Sequence, residues 1–167
     1  MMITGFIIGW KRIKNDTNDV NIKVSVIISI RNEGANIKKL VQSLRNQNYN
    51  KDLYDVIIVN DHSDDNSWEL LCNEKLNWPH LQLLDMDVNE YGKKKALSKA
   101  INFSNSEVIL TSDADCVFSP EWIKSMTSCF INDNINLASG PVSFNHQSTF
   151  FNQIQTLEFL SLIASGA

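Results

Sequence analysis

The sequence predicts an α/β domain built on a mostly parallel sheet wound with helices. Two observations carry that prediction. Short β-branched apolar runs alternate with stretches whose apolar residues recur at helical spacing, the pattern of strands joined by crossover helices. Three of those runs are also followed by polar segments that carry carboxylates. A parallel sheet binds ligands at the carboxyl ends of its strands, so the three segments are expected along one edge.

The first strand is Val24 to Ile30, a β-branched apolar run. Ile37, Leu40, Val41 and Leu44 follow at i, i+3, i+4, i+7 and predict an amphipathic helix from about Gly34 to Asn48. Val56-Ile57-Ile58-Val59 is the second strand. Asp64 or Asp65 is suited to cap a helix with Trp68, Leu71 and Cys72 on one face. Trp78-Pro79 breaks that pattern, and Leu81 to Leu84 is a third strand. Ala96, Leu97, Ala100 and Ile101 mark the inner face of another helix, and Val108 to Thr111 is the fourth strand. Ser119 as cap and Pro120 at the first helical position start a helix that buries Trp122, Ile123, Met126 and Phe130. Leu137 to Phe144 reads as a further strand kinked at Gly140-Pro141. Phe151, Ile154, Leu157, Phe159 and Leu162 suggest a last helix over 150–162.

The chain of 167 residues is long enough for one domain with a substantial core. A net charge of −4 argues against nucleic acid as a partner, which needs a basic footprint. Lys38-Lys39 and Lys93-Lys94-Lys95 are basic but short. Three cysteines without C-x-x-C spacing fit a reducing compartment, and Cys72 and Cys129 read as small core hydrophobes.

Residues 1–22 form an apolar and then basic lead. Met1 to Trp10 is too short to span about 30 Å of hydrocarbon as a helix, and its basic residues follow rather than precede the apolar part, unlike a signal peptide. It resembles the last turns of a membrane helix with an aromatic and basic cytoplasmic edge; a loosely packed start is the other reading. The apolar stretch that ends at Ala167 suggests a fragment of a longer, membrane-associated protein.

Asp113-Ala114-Asp115 carries the most chemical information. Carboxylate oxygens are hard donors suited to Mg²⁺ or Mn²⁺, and Mg²⁺ typically takes one or two carboxylates plus substrate phosphates. A bare diphosphate would be repelled here: two like charges about 4 Å apart cost roughly 4 kcal/mol at an effective dielectric of about 20. A divalent cation between them reverses the sign. Strand-end turn carboxylates are the plainer reading of the same pair. Arg31-Asn32-Glu33 follows the first strand and Asn60-Asp61-His62-Ser63-Asp64-Asp65 the second. Asp61 offers a carboxylate to a base or ribose, or serves the helix-entry turn. No glycine-rich phosphate loop follows the first strand. Gly92 and Lys93, entering a helix, offer a second hold on an anion, with a solvated basic turn as the alternative.

Together, Val24 to Glu33, Val59 to Asp65, Gly92-Lys93 with Ala96-Leu97, and Thr111 to Asp115 resemble the family 2 glycosyltransferases of GT-A fold. The resemblance implies a GT-A (Rossmann-like) sheet with helices on both faces, truncated here. It divides the chain into the lead, a nucleotide-sugar-binding part over 23–145, and the start of an acceptor part over 146–167. It also implies inverting transfer of a sugar from a nucleotide-diphosphate donor to a saccharide or lipid-linked acceptor hydroxyl, with uridine donors first. By the same resemblance Asn32, Glu33 and Asp61 contact the nucleoside, and Ser63 and Lys93 belong to the nucleotide site. Asp113 lies near ribose or donor sugar, and Asp115, with Asp113 as second candidate, binds the metal. Phe151 to Glu158, with Gln153 and Gln155, looks like the membrane-associated, polysaccharide-synthesising branch, which implies the cytoplasmic face of the cell membrane. The family's general base is expected beyond Ala167; neither Asp133 nor Glu158 is assigned that role.

Rival readings fit less well. A nucleotidyltransferase would need a glycine-rich basic loop after the first strand. A phosphatase or receiver-type domain would want its acidic residues at the first strand end rather than the fourth. A nucleotide-binding fragment without turnover stays open.

Overall fold

The computed structural model describes residues 21–131, 134–140, 142 and 154. Thr17–Ile131 form one compact unit, and Met1–Asp16 with Asn132–Ala167 form another. In the first unit the strands are β1 (Val24–Ile30), β2 (Tyr54–Asn60), β3 (Leu81–Asp85) and β4 (Val108–Ser112). The helices are α1 (Gly34–Arg45), α2 (Ser67–Lys75), α3 (Lys93–Phe103) and α4 (Trp122–Ser128). Among the described residues no helix is long and apolar enough to cross a membrane.

All strand pairs are parallel, in the order β3-β2-β1-β4. Strand order therefore runs outward from β1 in one direction and then restarts on its other side at β4. That reversal is a topological switch point at the carboxyl ends of β1 and β4, the place where sheets of this kind bind ligands.

Side chains alternate across the sheet. Val24, Val26, Ile28 and Ile30 face a large core with Ile37, Leu40, Val41 and Leu44 of α1, Leu71 of α2 and Ile123 of α4. Ile27, Ile57 and Val59 face the other way, onto Ala96 and Ala100 of α3 and onto Met86. Both faces are covered, so the centres of β1 (Val26, Ile27, Ile28) and β2 (Val56 to Val59) are unbroken apolar runs rather than alternating ones. Each fully buried Leu, Ile or Val contributes about 1.5–3 kcal/mol. At the edge opposite the switch point, Ser25 is buried; its hydroxyl donates to Asp55 Oδ1 at 2.6 Å and sits 2.8 Å from Ser104 Oγ.

Several elements differ from expectation. Helix α1 ends at Arg45, not Asn48, because the following residues are spent elsewhere. Gln47 Nε2 donates to Ser119 O at 2.8 Å, its Oε1 accepts from Ile123 N at 3.0 Å, and Asn48 N donates to Pro120 O at 2.7 Å. The same bonds delay α4, which begins at Trp122 rather than at Pro120: the carbonyls of Ser119 and Pro120 are tied to the end of α1. Ser119 is accordingly not its cap; Glu121 holds that position, without a side-chain cap bond. Asn66, not Asp64 or Asp65, holds the cap position of α2, although Asp65 Oδ1 does accept from Ser67 N at 2.9 Å.

Cys72 and Cys129 are exposed rather than core residues. Leu71 takes the buried line of α2, and the next residue is turned about 100° away from it. Ile101 is 46% exposed for the same reason. Ala96 and Ala100 form the contact line of α3, four residues apart. In the second unit Leu137–Gly140 and Val142 form no strand, and Leu137 is 88% exposed. Ile154 is helical; the rest of the expected helix over 150–162, and Met1 to Trp10, lie outside the described residues.

Replacing Leu40 by Ala is expected to cost about 2–5 kcal/mol through the cavity it leaves. Ile101→Ala is expected to stay within about 0.5 kcal/mol. Urea denaturation of the two variants checks both values, and equal losses would contradict the assigned face of α3.

Candidate functional site

The loops after β1 and β2 are built as a pair. Asn32 and His62 each lie two residues past a strand end, and both adopt the left-handed conformation, φ 58° in each case. Asn and His are among the non-glycine residues that tolerate this region best. The loops then lock together. Asn32 N donates to Ser63 Oγ at 3.1 Å, and Asp64 N donates back to Asn32 Oδ1 at 2.9 Å. Glu33 N donates to Ser67 Oγ at 2.8 Å and Gly34 N to Asp65 Oδ2 at 3.0 Å. Asn60 Oδ1 accepts from Ser63 N, and Asn60 Nδ2 donates to Asp85 Oδ1, which ties β2 to the end of β3. A Cβ on Gly34 would stand 2.2 Å from Asn66 Oδ1, so glycine permits the close approach of the two loops.

Asp61 is the hub of this edge. It is only 4% exposed. Its Oδ2 accepts the N–H of Gly92 at 2.9 Å and its Oδ1 faces His62 Nδ1 at 3.1 Å. A carboxylate only accepts, so Nδ1 carries the proton of that bond. Gly92 (φ 99°) directly precedes α3, and Lys93, the first residue of that helix, pairs with Asp113 Oδ1. The loop of β2 is therefore connected to the loop of β4 by two contacts, Asp61 to Gly92 and Lys93 to Asp113. The His62 ring stacks on Tyr91, with centroids 4.2 Å apart and planes at 25°. His62 Nε2 is buried with no hydrogen-bond partner among the described residues.

Beyond β4, Ala114 is buried in the core and turns its two aspartate neighbours outward. Asp113 is taken by Lys93. Asp115 is exposed, and among the described residues its Oδ1 receives only a long contact from the Cys116 thiol at 3.8 Å. The seven sequence-assigned residues thus fall on one edge, and the hydrogen-bonded loops join Asn32, Ser63, Asp61, Lys93 and Asp113. Glu33 points back along its own helix, its Oε2 accepting from Asn36 Nδ2 at 2.7 Å.

A family model described as glycosyl transferase family 2 matches residues 25–163. The chain belongs to this family. Poly-beta-1,6-N-acetyl-D-glucosamine synthase of Staphylococcus epidermidis is 28% identical over 141 residues, covering 84% of this chain and 33% of that protein. The structure of Staphylococcus aureus TarS 1–349 in complex with UDP-GlcNAc aligns with TM-score 0.60 at 25% identity, over 73% of this chain and 38% of that one. Mannosyltransferase PcManGT from Pyrobaculum calidifontis, in complex with GDP-Man and Mn²⁺, aligns with TM-score 0.64 at 19% identity, over 75% and 38%, a likeness of fold. The fold is GT-A. The chain spans about a third to two-fifths of the length of the curated relatives it matches.

For this glycosyl transferase family 2 chain, the donor set suits a hard divalent cation only in company. Among the described residues no group of three or more His, Cys, Asp or Glu is placed to hold a metal. Two strand-end carboxylates fit a cation whose remaining ligands are phosphate and water. Sequence reasoning missed His62 and Tyr91. A histidine where a turn demands positive φ was the available signal, but it becomes legible only once that φ is known.

The Ser67 hydroxyl and N–H, with the Gly34 N–H, hold the Asp65 carboxyl below the usual carboxylate range. A depressed folded-state value means that this loop-to-loop lock is complete above about pH 4 and lost as pH falls through the folded value. Acid should therefore destabilise the wild-type chain more steeply than Asp65→Asn below about pH 4. Denaturant midpoints measured from neutral pH downward check this; parallel profiles would contradict it.

Proposed function

We propose that this chain is the donor-binding part of an enzyme that moves a sugar from a nucleotide-diphosphate donor to an acceptor hydroxyl with inversion. One observation supports this above the others: the Asp61–Gly92–Lys93–Asp113 linkage joins the ends of β2 and β4 through the start of α3 and leaves Asp115 open beside it.

Asp115, with Asp113 as neighbour, would hold a Mg²⁺ or Mn²⁺ ion, which supplies Lewis-acid stabilisation of the departing diphosphate. Lys93 keeps Asp113 oriented and neutralised, so the site does not present two bare carboxylates to an anionic donor. Asp113 then faces the ribose or donor sugar. Asn32 and Ser63 fix the loop walls around the nucleoside, and Asp61 sets the level of Gly92 and thus of Lys93. The acceptor attacks the anomeric carbon from the face opposite the diphosphate. Its proton passes to an acidic general base, a role assigned here to none of the described residues.

Uridine diphosphate sugars are the first donors to test, in line with the UDP-GlcNAc held by the TarS structure. A saccharide or lipid-linked acceptor, and work at the cytoplasmic face of the cell membrane, fit the polysaccharide-synthase relatives and the apolar, then basic, stretch from Met1 to Lys14.

Asp115→Asn is expected to weaken UDP binding in Mn²⁺ by more than about tenfold. It should leave metal-free binding and thermal stability unchanged. Calorimetric titration with and without Mn²⁺ reads this directly. Equal wild-type affinity in both conditions would overturn the metal role.

A further inference from the structure

Tyr91 carries no role in the linkage just described, yet it is held in place by residues that do. Its ring lies on the His62 imidazole at 4.2 Å. That imidazole is fixed by the buried Asp61 carboxylate and by the left-handed backbone at His62. Tyr91 is nevertheless 54% exposed. A ring covered on one side and half exposed overall presents its other face to solvent.

Its place in the fold gives the open face a meaning. Tyr91 and Lys93 flank Gly92, and Lys93 reaches Asp113 at the end of β4. Tyr91 instead leans on the loop of β2 through His62. From β4 across β1 to β2 is two strand spacings, about 10 Å, the span between the diphosphate of a nucleotide and its base. A nucleotide with its diphosphate beside Asp115, laid across β1, would bring its base over the β2 loop.

We propose that Tyr91, backed by His62, is the platform on which the donor's nucleobase stacks. The inference rests on the donor-binding reading above and extends it to a residue outside the motifs. Stacking on an aromatic face tolerates any base, so this platform supplies affinity rather than choice among bases.

The test titrates the full chain with UDP, GDP and inorganic pyrophosphate, each with Mn²⁺. Tyr91→Ala is expected to weaken UDP and GDP alike, by about 5- to 150-fold, the range of a lost base–aromatic stack. Pyrophosphate binding should not change. Tyr91→Phe should stay within about twofold of wild type, because the face is kept. The proposal is overturned if Tyr91→Ala leaves UDP binding intact, or weakens pyrophosphate as much as UDP. A wild-type chain that binds pyrophosphate as tightly as UDP overturns the platform but leaves the diphosphate site standing. One that binds neither overturns both.

Discussion

The buried carboxylate of Asp61 is the interaction on which the rest of this edge depends. It sits at the end of β2, almost sealed from solvent, and both of its oxygens are engaged by protein. A buried charge of this kind is tolerated only when hydrogen bonds replace the lost water. Here the replacement donors are a backbone N–H at the entrance of α3 and an imidazole. Desolvation is thus turned into geometry: the start of a helix is tied to a strand end 31 residues earlier.

The sheet gives that geometry a direction. With every strand parallel, all carboxyl ends fall on one side, and β1 has a neighbour on each flank. Loops after β1 and β2 share hydrogen bonds through Asn32, Ser63 and Asp64, while the loop after β4 joins through Lys93. Polar groups that would repel one another singly are interleaved with donors and a cation. The chain belongs to glycosyl transferase family 2, and its fold is GT-A.

Much of this was legible in the sequence because the signals are local. The run from Val24 to Ile30 is a strand at both of its expected limits, since a short run rich in β-branched apolar residues suits a strand buried on both faces. The helical spacing of Ile37, Leu40, Val41 and Leu44 gave the right face of α1. What failed was set by distant partners. The end of α1 and the start of α4 depend on bonds between residues about seventy positions apart. Cys72 was misplaced because periodicity alone does not say which of two adjacent apolar residues takes the buried line. At the site, residue types predicted the convergence of Asn32, Asp61, Lys93 and Asp113. The His62–Tyr91 stack escaped because it joins two loops that look merely polar in isolation.

The amide of Gln47 has a consequence for how the chain folds as it is made. This side chain is almost wholly enclosed, and two of its bonds go to Ser119 and Ile123. On a ribosome, α1 emerges well before those partners exist. Until residue 123 appears, Gln47 must stay hydrated, and the large core cannot close over it. Vectorial synthesis therefore delivers all four strands before the helix that seals one face of the sheet, a long-range closure of the sort that slows folding.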